Sequence, residues 1–304
     1  MKLGMNSGRA VGFDPKAGTW RKIEHPRSDD LLELLSLEPG ELAKCMGESA
    51  NHPHGLPFSP GSLRSFALWE RHMTSAAKGM VSRFGSPLLK SLAAGHERLI
   101  GRLIEPMRPR PNYYRFPQYY MGNHRSLIED GQELPWPSFS EVVDFELEIG
   151  MVIARQVRDC TPSEGLASIG GFCIVNDWSA RDVQWDDTRR GTFGGVVKAK
   201  TFAGSIGAVV VTADEILPRF HRLTGKVRVN GETWCIGSTE EAQYTLGEAV
   251  AYAAMGETVH PGDLLTTGTL PCCCGLEIGR FPIRGDEVQL EIEEMGTLTN
   301  RIGY

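Results

Sequence analysis

The chain of 304 residues is 41% hydrophobic and 23% charged, and its formal net charge at pH 7 is −6. Such a composition is typical of a globular protein with a sizeable core, folded as one large domain or two unequal ones. A negative chain without a long run of Lys and Arg is a poor partner for nucleic acid or for an anionic membrane surface, so we expect neither. Because no stretch has the apolar length of a transmembrane helix or of a signal-peptide core, we expect a cytoplasmic protein.

The first part of the chain, to about residue 110, is weakly patterned. Its clearest element is SPLLKSLAAGHERLIGRLI at 86–104, whose leucines and isoleucines recur at helical spacing and predict an amphipathic helix. The Pro- and Arg-containing segment at 105–117 is typical of a connector. We therefore predict a smaller N-terminal region at 1–110 and a second domain at 111–304.

The segment VVDFELEIGMVI at 142–153 alternates acidic and apolar residues, which predicts a half-buried β-strand. Asp144, Glu146 and Glu148 share one face of this strand. Two interpretations are open. The face could be turned to water, as in many antiparallel sheets. It could also bind a hard cation, because neighbouring carboxylates repel one another and their oxygens are the ligands that Mg²⁺, Ca²⁺ and Mn²⁺ prefer.

Strand signals dominate the rest of the chain. Strands are predicted at 171–175 and 205–212, hairpins at 226–234 and 286–303, and a short helix at 247–256. Asn230 and Gly231 form the dipeptide that most favours a tight hairpin turn. The second domain is therefore predicted to be rich in β-structure, with a few helices.

The strand at 171–175 leads into NDWSARDVQWDD, where Asn176 or Asp177 is placed to cap a following helix. On such a helix Asp177, Arg181 and Gln184 share one face. This face carries a carboxylate, a guanidinium and an amide, which together suit a metal ion and an anionic, oxygen-rich ligand. A capped surface helix with an ordinary Asp–Arg pair is the alternative.

The combination of DFELEIG at 144–150 with IVNDWSARDVQ at 174–184 resembles the fumarylacetoacetate hydrolase family. In that family an E-x-E strand and a later Asp hold a divalent ion. The resemblance therefore implies that Glu146, Glu148 and Asp177 bind Mg²⁺, or else Mn²⁺ or Ca²⁺. Asp144 is left without a role and is expected to be solvated.

Further segments resemble the same family in order and spacing, over 112–304. KTFAGSIG at 200–207 implies that Lys200 is the active-site lysine, although Ala203 and Gly204 stand where many members have Asp and Thr. PGDLLTTGT at 261–269 implies a loop that lines the substrate pocket through Thr267, Gly268 and Thr269. The fold implied is α+β and mainly β, with a mixed β-roll or sandwich catalytic domain after the smaller N-terminal region. A homodimer is also implied.

The base that would activate water is assigned to His124, in YYMGNHRS at 119–126, because the family places a His on a lid or upstream loop in this part of the chain. Hydrolases of the eukaryotic type pair their His with a Glu near the end of the domain, and Glu277 in GLEIGR fits that place. We therefore predict a catalytic His124–Glu277 pair. Most of the nearby tyrosines are expected to pack as ordinary core residues; they are Tyr113, Tyr114, Tyr119 and Tyr120.

The function implied is a divalent-metal-dependent hydrolase that cleaves a C–C bond in a 1,3-diketo acid or acylpyruvate. The ion polarises a carbonyl and stabilises enolate charge, and His124 removes a proton from water. Lys200 and Gln184 stabilise the oxyanion or the departing carbanion, and Arg181 grips a substrate carboxylate.

Other functions remain open at this stage. The same metal site would serve a decarboxylase, or an isomerase or tautomerase of oxaloacetate- or hydroxymuconate-like acids, or a dehydratase. A non-catalytic metal-binding scaffold is a further alternative.

Seven cysteines without a C-x-x-C pair are expected to be reduced thiols in a cytoplasmic protein. Cys272, Cys273 and Cys274 either shape the pocket wall or lie in a merely buried loop.

Overall fold

The computed structural model describes residues 1–304, apart from the side chain of Pro39. The α-helices of the described chain are α1 (Leu31–Leu35), α2 (Pro39–Lys44), α3 (Glu70–Phe84), α4 (Pro87–Ile100), α5 (Pro162–Ser168), α6 (Arg181–Arg190), α7 (Lys198–Thr201), α8 (Ala213–Ile216), α9 (Leu246–Ala253) and α10 (Gly275–Ile278). Short 3-10 turns lie at Glu105–Met107, Pro111–Tyr114, His124–Ser126 and Leu217–Arg222. Among the described residues, no helix combines the length and apolarity that crossing a bilayer requires.

Strands make up the larger part of the regular structure. They are β1 (Lys2–Asn6), β2 (Arg9–Asp14), β3 (Thr19–Ile23), β4 (Met46–Ser49), β5 (Leu63–Phe66), β6 (Tyr119–Gly122), β7 (Leu127–Glu129), β8 (Val143–Asp144), β9 (Leu147–Ile153), β10 (Val157–Arg158), β11 (Ile169–Asn176), β12 (Ser179–Ala180), β13 (Gly204–Ile206), β14 (Val209–Thr212), β15 (Thr224–Val229), β16 (Glu232–Ser238), β17 (Thr258–Val259), β18 (Leu264–Thr266), β19 (Glu287–Ile292) and β20 (Gly296–Arg301). The fold is therefore α+β and mainly β, as the sequence predicts.

A mixed sheet of 12 strands organises the molecule, in the order β4-β3-β2-β1-β14-β11-β9-β18-β5-β6, with β13 on β11 and β7 on β13. The pairs β18–β5 and β13–β7 are parallel, and the other pairs in this sheet are antiparallel. A second, antiparallel sheet has the order β16-β15-β19-β20. Strands from both sides of residue 110 belong to the large sheet, since β1 pairs with β14 and β5 with β18. The domain boundary at 110 stays a prediction.

Strand β9 is buried on both faces. Leu147, Ile149 and Met151 point into one core, whereas Val152, on the opposite face, packs in a second core with Leu264. Glu148 lies on this second face of β9, and Glu146 and Asp144, which precede the strand, are buried as well. The structure thus places them inside the molecule rather than on an open surface.

Several sequence predictions are confirmed by the strands and helices. The turn at Asn230 and Gly231 joins β15 to β16, and both residues have positive φ, of 51° and 80°. The closing hairpin is β19–β20 and the short helix is α9. The predicted strand at 205–212 is divided into β13 and β14.

Two helices differ from their predictions. Helix α4 is capped by Ser86, and its Leu88, Leu92 and Leu99 are 69%, 59% and 84% exposed. Ala93 and Leu89 pack in a small cluster with Val81 of α3, so only part of the predicted apolar face is buried within this chain. Helix α6 begins at Arg181, after the short strand β12, so Asp177 precedes the helix rather than capping it.

Helix α3 crosses α10 at a glycine. A Cβ on Gly79 would lie 2.0 Å from the backbone oxygen of Leu276, so any larger residue would push the two helices apart. Gly95 on α4 has open space around its position, with nothing within 4 Å of an added Cβ.

We predict that Gly79→Ala destabilises the protein, because overpacking against a rigid backbone costs about 1–3 kcal/mol. Gly95→Ala is the matched control, and it should stabilise by about 0.5–1 kcal/mol through helix propensity alone. Urea denaturation of the two variants measures both changes. Equal stability of the two variants would contradict the close crossing of α3 and α10.

Candidate active site

Three carboxylates converge at one end of β9. Single oxygens of Glu146, Glu148 and Asp177 lie within 4.8 Å of one another, and the residues are 4%, 1% and 8% exposed. Asp177 follows β11, which pairs with β9 so that Asn176 faces Leu147, and its backbone N–H donates to the carbonyl of Glu146 at 3.1 Å. The face of acids is therefore buried, and the alternative of a water-exposed sheet face is wrong.

Lys200 and Tyr120 reach into this triad. The Lys200 Nζ donates to Glu146 Oε2 at 2.5 Å and to Asp177 Oδ2 at 2.8 Å. The Tyr120 hydroxyl donates to Asp177 Oδ2 at 2.5 Å, so this tyrosine is part of the site rather than of the ordinary packing expected for it. The lysine selected from the sequence thus lies directly among the proposed metal ligands.

Glu148 has hydroxyl partners that the sequence did not reveal. Thr266 donates to its Oε2, and the Ser65 hydroxyl lies 3.3 Å from the same oxygen. Thr266 lies one residue before Thr267 in the PGDLLTTGT segment, so that motif was the available signal. Ser65 lies in the weakly patterned N-terminal part, and no local pattern distinguishes it.

The electrostatics of the triad follow from burial and from crowding of like charges. Burial, together with the charges of Asp177 and Glu146, raises the pKa of Glu148 well above its ordinary value. Burial also raises the pKa of Asp177, to about 6, although Lys200 acts in the opposite direction. Burial works to raise the pKa of Glu146 as well, but the charges of Lys200 and Arg181 outweigh it and hold that pKa below the ordinary value.

Asp144, which the sequence analysis left without a role, is fully buried at 0% exposure. It accepts a hydrogen bond from Arg181 Nε at 2.7 Å. It also accepts from the backbone N–H groups of Gly275 and Leu276, at 2.7 and 2.9 Å. The expectation that Asp144 is solvated is wrong, because this carboxylate joins α6 to the start of α10.

Arg181 donates its hydrogen bonds to protein side chains rather than into an open pocket. It is 1% exposed, and besides Asp144 it donates from Nη2 to Glu146 Oε1 at 2.7 Å and from Nη1 to Gln184 Oε1 at 2.8 Å. Each of its three nitrogens is thus directed at a side chain of the protein. This geometry does not support the predicted contact of Arg181 with a substrate carboxylate, and its role is to orient Glu146 and Gln184.

The histidine that meets Glu277 is His72, on the first turn of α3. Its Nδ1 lies 3.0 Å from Glu277 Oε2. His124 lies in the 3-10 turn after β6, and among the described residues it has no hydrogen bond to Glu277. The predicted His124–Glu277 pair is therefore corrected to His72–Glu277. No local pattern in the sequence indicates His72, because the two partners are 205 residues apart.

A cavity of about 340 Å³ connects these groups. Its lining includes the triad, Lys200, His72, Tyr120 and Gln184, together with Tyr113, Gly268 and Thr269. Arg181 only donates, so the Gln184 atom that faces it is the carbonyl oxygen, and the Gln184 amide NH₂ remains for a ligand.

The predicted substrate loop contributes unevenly to the cavity. Gly268 and Thr269 line it, but the Thr267 hydroxyl accepts from the backbone of Ile149 at 3.2 Å and donates to the carbonyl of Gly268. Thr267 therefore supports the loop instead of facing a ligand. The Thr269 hydroxyl and the Tyr113 hydroxyl are buried without a hydrogen-bond partner among the described residues. Since buried polar groups are normally paired, both indicate a polar ligand in the cavity.

The donor set fits a hard divalent cation. The ligand atoms are all carboxylate oxygens, which Mg²⁺, Mn²⁺ and Ca²⁺ prefer. The buried network contains four carboxyl groups and two cationic side chains, so its fully ionised form has an excess of two negative charges; its members are Asp144, Glu146, Glu148, Asp177, Arg181 and Lys200. One divalent ion would neutralise this excess.

The family model described as Fumarylacetoacetate (FAA) hydrolase C-terminal matches residues 93–303. The match spans more than half of the chain, and the chain belongs to this family. Solved structures of similar fold include a fumarylacetoacetate hydrolase from Exiguobacterium antarcticum, with a TM-score of 0.68 and 20% identity over 99% of this chain and 98% of that one. A 5-carboxymethyl-2-hydroxymuconate delta-isomerase from Mycobacterium smegmatis has a TM-score of 0.67 and 20% identity, over 100% of this chain and 98% of that one. At these identities the likeness shows the fold alone.

Curated relatives are more similar in sequence over a shorter length. The human mitochondrial protein named Oxaloacetate tautomerase FAHD2A is 32% identical over 181 residues, which are 58% of this chain and 56% of that protein. A putative hydrolase from Burkholderia cenocepacia is 34% identical over 175 residues, 57% of this chain and 60% of that protein. The chain thus spans a little over half the length of the curated relatives it matches.

We predict that Glu148→Gln removes the stabilisation of the protein by Mg²⁺ without destabilising the metal-free protein. An amide resembles the protonated carboxyl that burial and the charges of Asp177 and Glu146 favour at this position, so the metal-free protein should tolerate it. For the unaltered chain, Mg²⁺ at a hundred times its Kd should add about 2.7 kcal/mol to the free energy of unfolding. Thermal unfolding with and without Mg²⁺ measures both effects.

The exposed residue Glu293 provides the matched control. Glu293→Gln should keep the full response to Mg²⁺. A Glu148→Gln variant with an undiminished response would show that the ion binds elsewhere.

Proposed function

We propose that the protein is a divalent-metal-dependent hydrolase that cleaves a C–C bond in a 1,3-diketo acid or an acylpyruvate. The observation that carries this proposal is the His72–Glu277 pair at 3.0 Å, because His72 lines the same cavity as the carboxylate triad and Lys200. A triad alone would suit any reaction through an enolate. A histidine oriented by a carboxylate adds the means to activate water.

The metal ligands would be Glu146, Glu148 and Asp177. When bound, a divalent ion there would polarise a substrate carbonyl and stabilise developing enolate charge. A diketo acid suits such a site because its two neighbouring oxygens can chelate one ion. The volume of about 340 Å³ is ample for a small organic acid.

The base in this proposal is Nε2 of His72. An ionised Glu277 only accepts hydrogen bonds, so it places the ring proton on Nδ1 and leaves Nε2 free to take a proton from water. The hydroxide then attacks the carbonyl carbon, the C–C bond breaks with its electron pair on the departing enolate, and a proton returned from the imidazolium completes the second product. The net reaction adds one water and yields two acids or an acid and a ketone.

Lys200 and Gln184 would stabilise the charge that develops on oxygen. The Lys200 ammonium already lies within 2.8 Å of two triad residues, so it is near any carbonyl oxygen held at the ion. The Gln184 amide NH₂ is directed by Arg181. The unpartnered hydroxyls of Tyr113 and Thr269 are the groups left to bind the substrate's carboxylate.

A second candidate is tautomerisation of an oxaloacetate-like acid. The observation that favours it is the similarity, at 32–34% identity, to proteins named oxaloacetate tautomerases. Tautomerisation moves a proton between carbon and oxygen and needs no attacking water. The triad and Lys200 would then carry the reaction, and His72 would be dispensable or would act only as a proton carrier.

The deciding experiment is turnover after EDTA treatment and Mg²⁺ or Mn²⁺ add-back, with products identified by NMR. The panel holds an acylpyruvate, fumarylacetoacetate, oxaloacetate and a hydroxymuconate-type acid. Metal-restored release of two fragments supports the hydrolase. Keto–enol exchange or double-bond movement without cleavage supports the tautomerase or isomerase, and loss of CO₂ supports a decarboxylase.

We predict that His72→Asn lowers kcat for C–C cleavage by about 10²- to 10⁴-fold, the usual contribution of a positioned general base. His124→Asn, the matched control on the other histidine, should change kcat little. The rates are compared at saturating Mg²⁺ with the same substrate. A large loss of kcat in His124→Asn, with no loss in His72→Asn, would support His124 as the base instead.

Lys200→Met separates an enzyme from a scaffold. Loss of an oxyanion donor should lower kcat by about 10²- to 10³-fold. A chain with no turnover of any panel member, and no change between Lys200→Met and the unaltered protein, would support the scaffold instead.

A further inference from the structure

A second group of metal-ligand side chains lies at the His72 end of the cavity. One ligand atom each from His72, Cys274 and Glu277 lies within 4.8 Å of the others. The Cys274 Sγ is 3.5 Å from Glu277 Oε2, the same oxygen that meets His72. Cys274 and Glu277 are three residues apart across the first turn of α10, so the backbone holds their separation.

We propose that His72, Cys274 and Glu277 form a second metal site that takes Zn²⁺, and that Zn²⁺ bound there inhibits the protein. Zn²⁺ binds nitrogen, sulfur and oxygen ligands in tetrahedral geometry, and sites with three protein ligands leave the fourth position to water. Mg²⁺ and Ca²⁺ prefer oxygen alone. The mixed donors here and the all-oxygen triad should therefore select different ions.

An unpartnered carboxylate oxygen independently points to a cation at this place. The Glu277 Oε1 is buried and has no hydrogen-bond partner among the described residues, and the side chain is only 2% exposed. A buried acceptor without a partner costs stability. A cation coordinated by this oxygen would satisfy it.

Metal binding at Cys274 must displace the thiol proton. Burial, and then the charge of Asp144, raise the pKa of this thiol well above its ordinary value, although Arg181 acts in the opposite direction. A metal ion would bind the thiolate and release the thiol proton to solvent. The His72 ring lines the cavity, so an ion can approach from that side although Cys274 itself is fully buried.

The inhibition of activity by Zn²⁺ rests on the proposed function, whereas the binding of Zn²⁺ to this site does not. A Zn²⁺ ion on Glu277 and His72 would occupy both members of the pair that activates water. The ion would then block hydrolysis while the triad keeps its Mg²⁺. Excess Mg²⁺ should not relieve this inhibition, whereas it would relieve inhibition by Zn²⁺ in the triad.

The binding test uses Co²⁺ as a spectroscopic substitute for Zn²⁺, added to the full chain in saturating Mg²⁺. A thiolate-to-cobalt charge-transfer band in the near ultraviolet is expected, and one equivalent of Zn²⁺ should abolish it. The band should be absent in Cys274→Ser and retained in Cys272→Ser. Cys272 is the matched control because its thiol lies 3.5 Å from Arg71, outside the cluster.

Glu277→Gln keeps every thiol and guards against a folding defect in Cys274→Ser. It should weaken Co²⁺ binding by at least about tenfold, since loss of even an outer-sphere partner costs about 10- to 100-fold in metal affinity. No thiolate band in the unaltered chain, or a band that persists in Cys274→Ser, overturns the site.

Zinc titration of activity tests the inhibition. Each variant is compared with its own zinc-free rate in saturating Mg²⁺, and Cys274→Ser should need at least about tenfold more Zn²⁺ than Cys272→Ser for half inhibition. Equal sensitivity would overturn the inhibitory role. If no panel substrate turns over, the proposed function fails, and the cobalt band still decides whether the site exists.

Discussion

The burial of four carboxylates in one network is the constraint on which the rest of the structure depends. Buried charges are tolerated only when they are paired and hydrogen-bonded. Arg181 meets this requirement by donating to both Asp144 and Glu146, and Lys200 does so by bridging Glu146 and Asp177. Two negative charges remain after this pairing. This excess of negative charge contributes to the raised pKa of Glu148, and a bound divalent ion would neutralise the excess.

The same network fixes the second half of the site. Asp144 holds Arg181 with one oxygen and accepts the first backbone N–H groups of α10 with both. Glu277 is the next residue of this helix and meets His72 on α3. Asp144 is part of neither the triad nor the His72–Glu277 pair, yet its hydrogen bonds set the position of the base relative to the triad. Gly79 completes the arrangement, because only a glycine lets α3 approach the backbone of Leu276.

Local patterns in the sequence predicted what depends on local geometry. The Asn-Gly turn was predicted correctly, because turn conformation is set within a few residues. The alternation at 142–153 indicated extended structure, but it showed neither the break between β8 and β9 nor the burial of both faces of β9. Contacts between residues far apart in the sequence could not be predicted in this way. The spacing of Arg181 and Gln184 placed them on one face of a helix but did not show that Asp144 lies opposite. His72 was not predicted, for the same reason. The exposed leucines of α4 show that a periodic apolar stripe does not by itself identify what packs against it.

His72 lies outside the part of the chain that the family model matches. The family match begins at residue 93, so it includes the triad, Lys200 and Glu277 but not His72. Our proposal therefore draws its metal ligands and Lys200 from the matched part of the chain, whereas its base comes from the region before it. The contact between α3 and α10 brings that base to the site, since His72 on α3 meets Glu277 on α10.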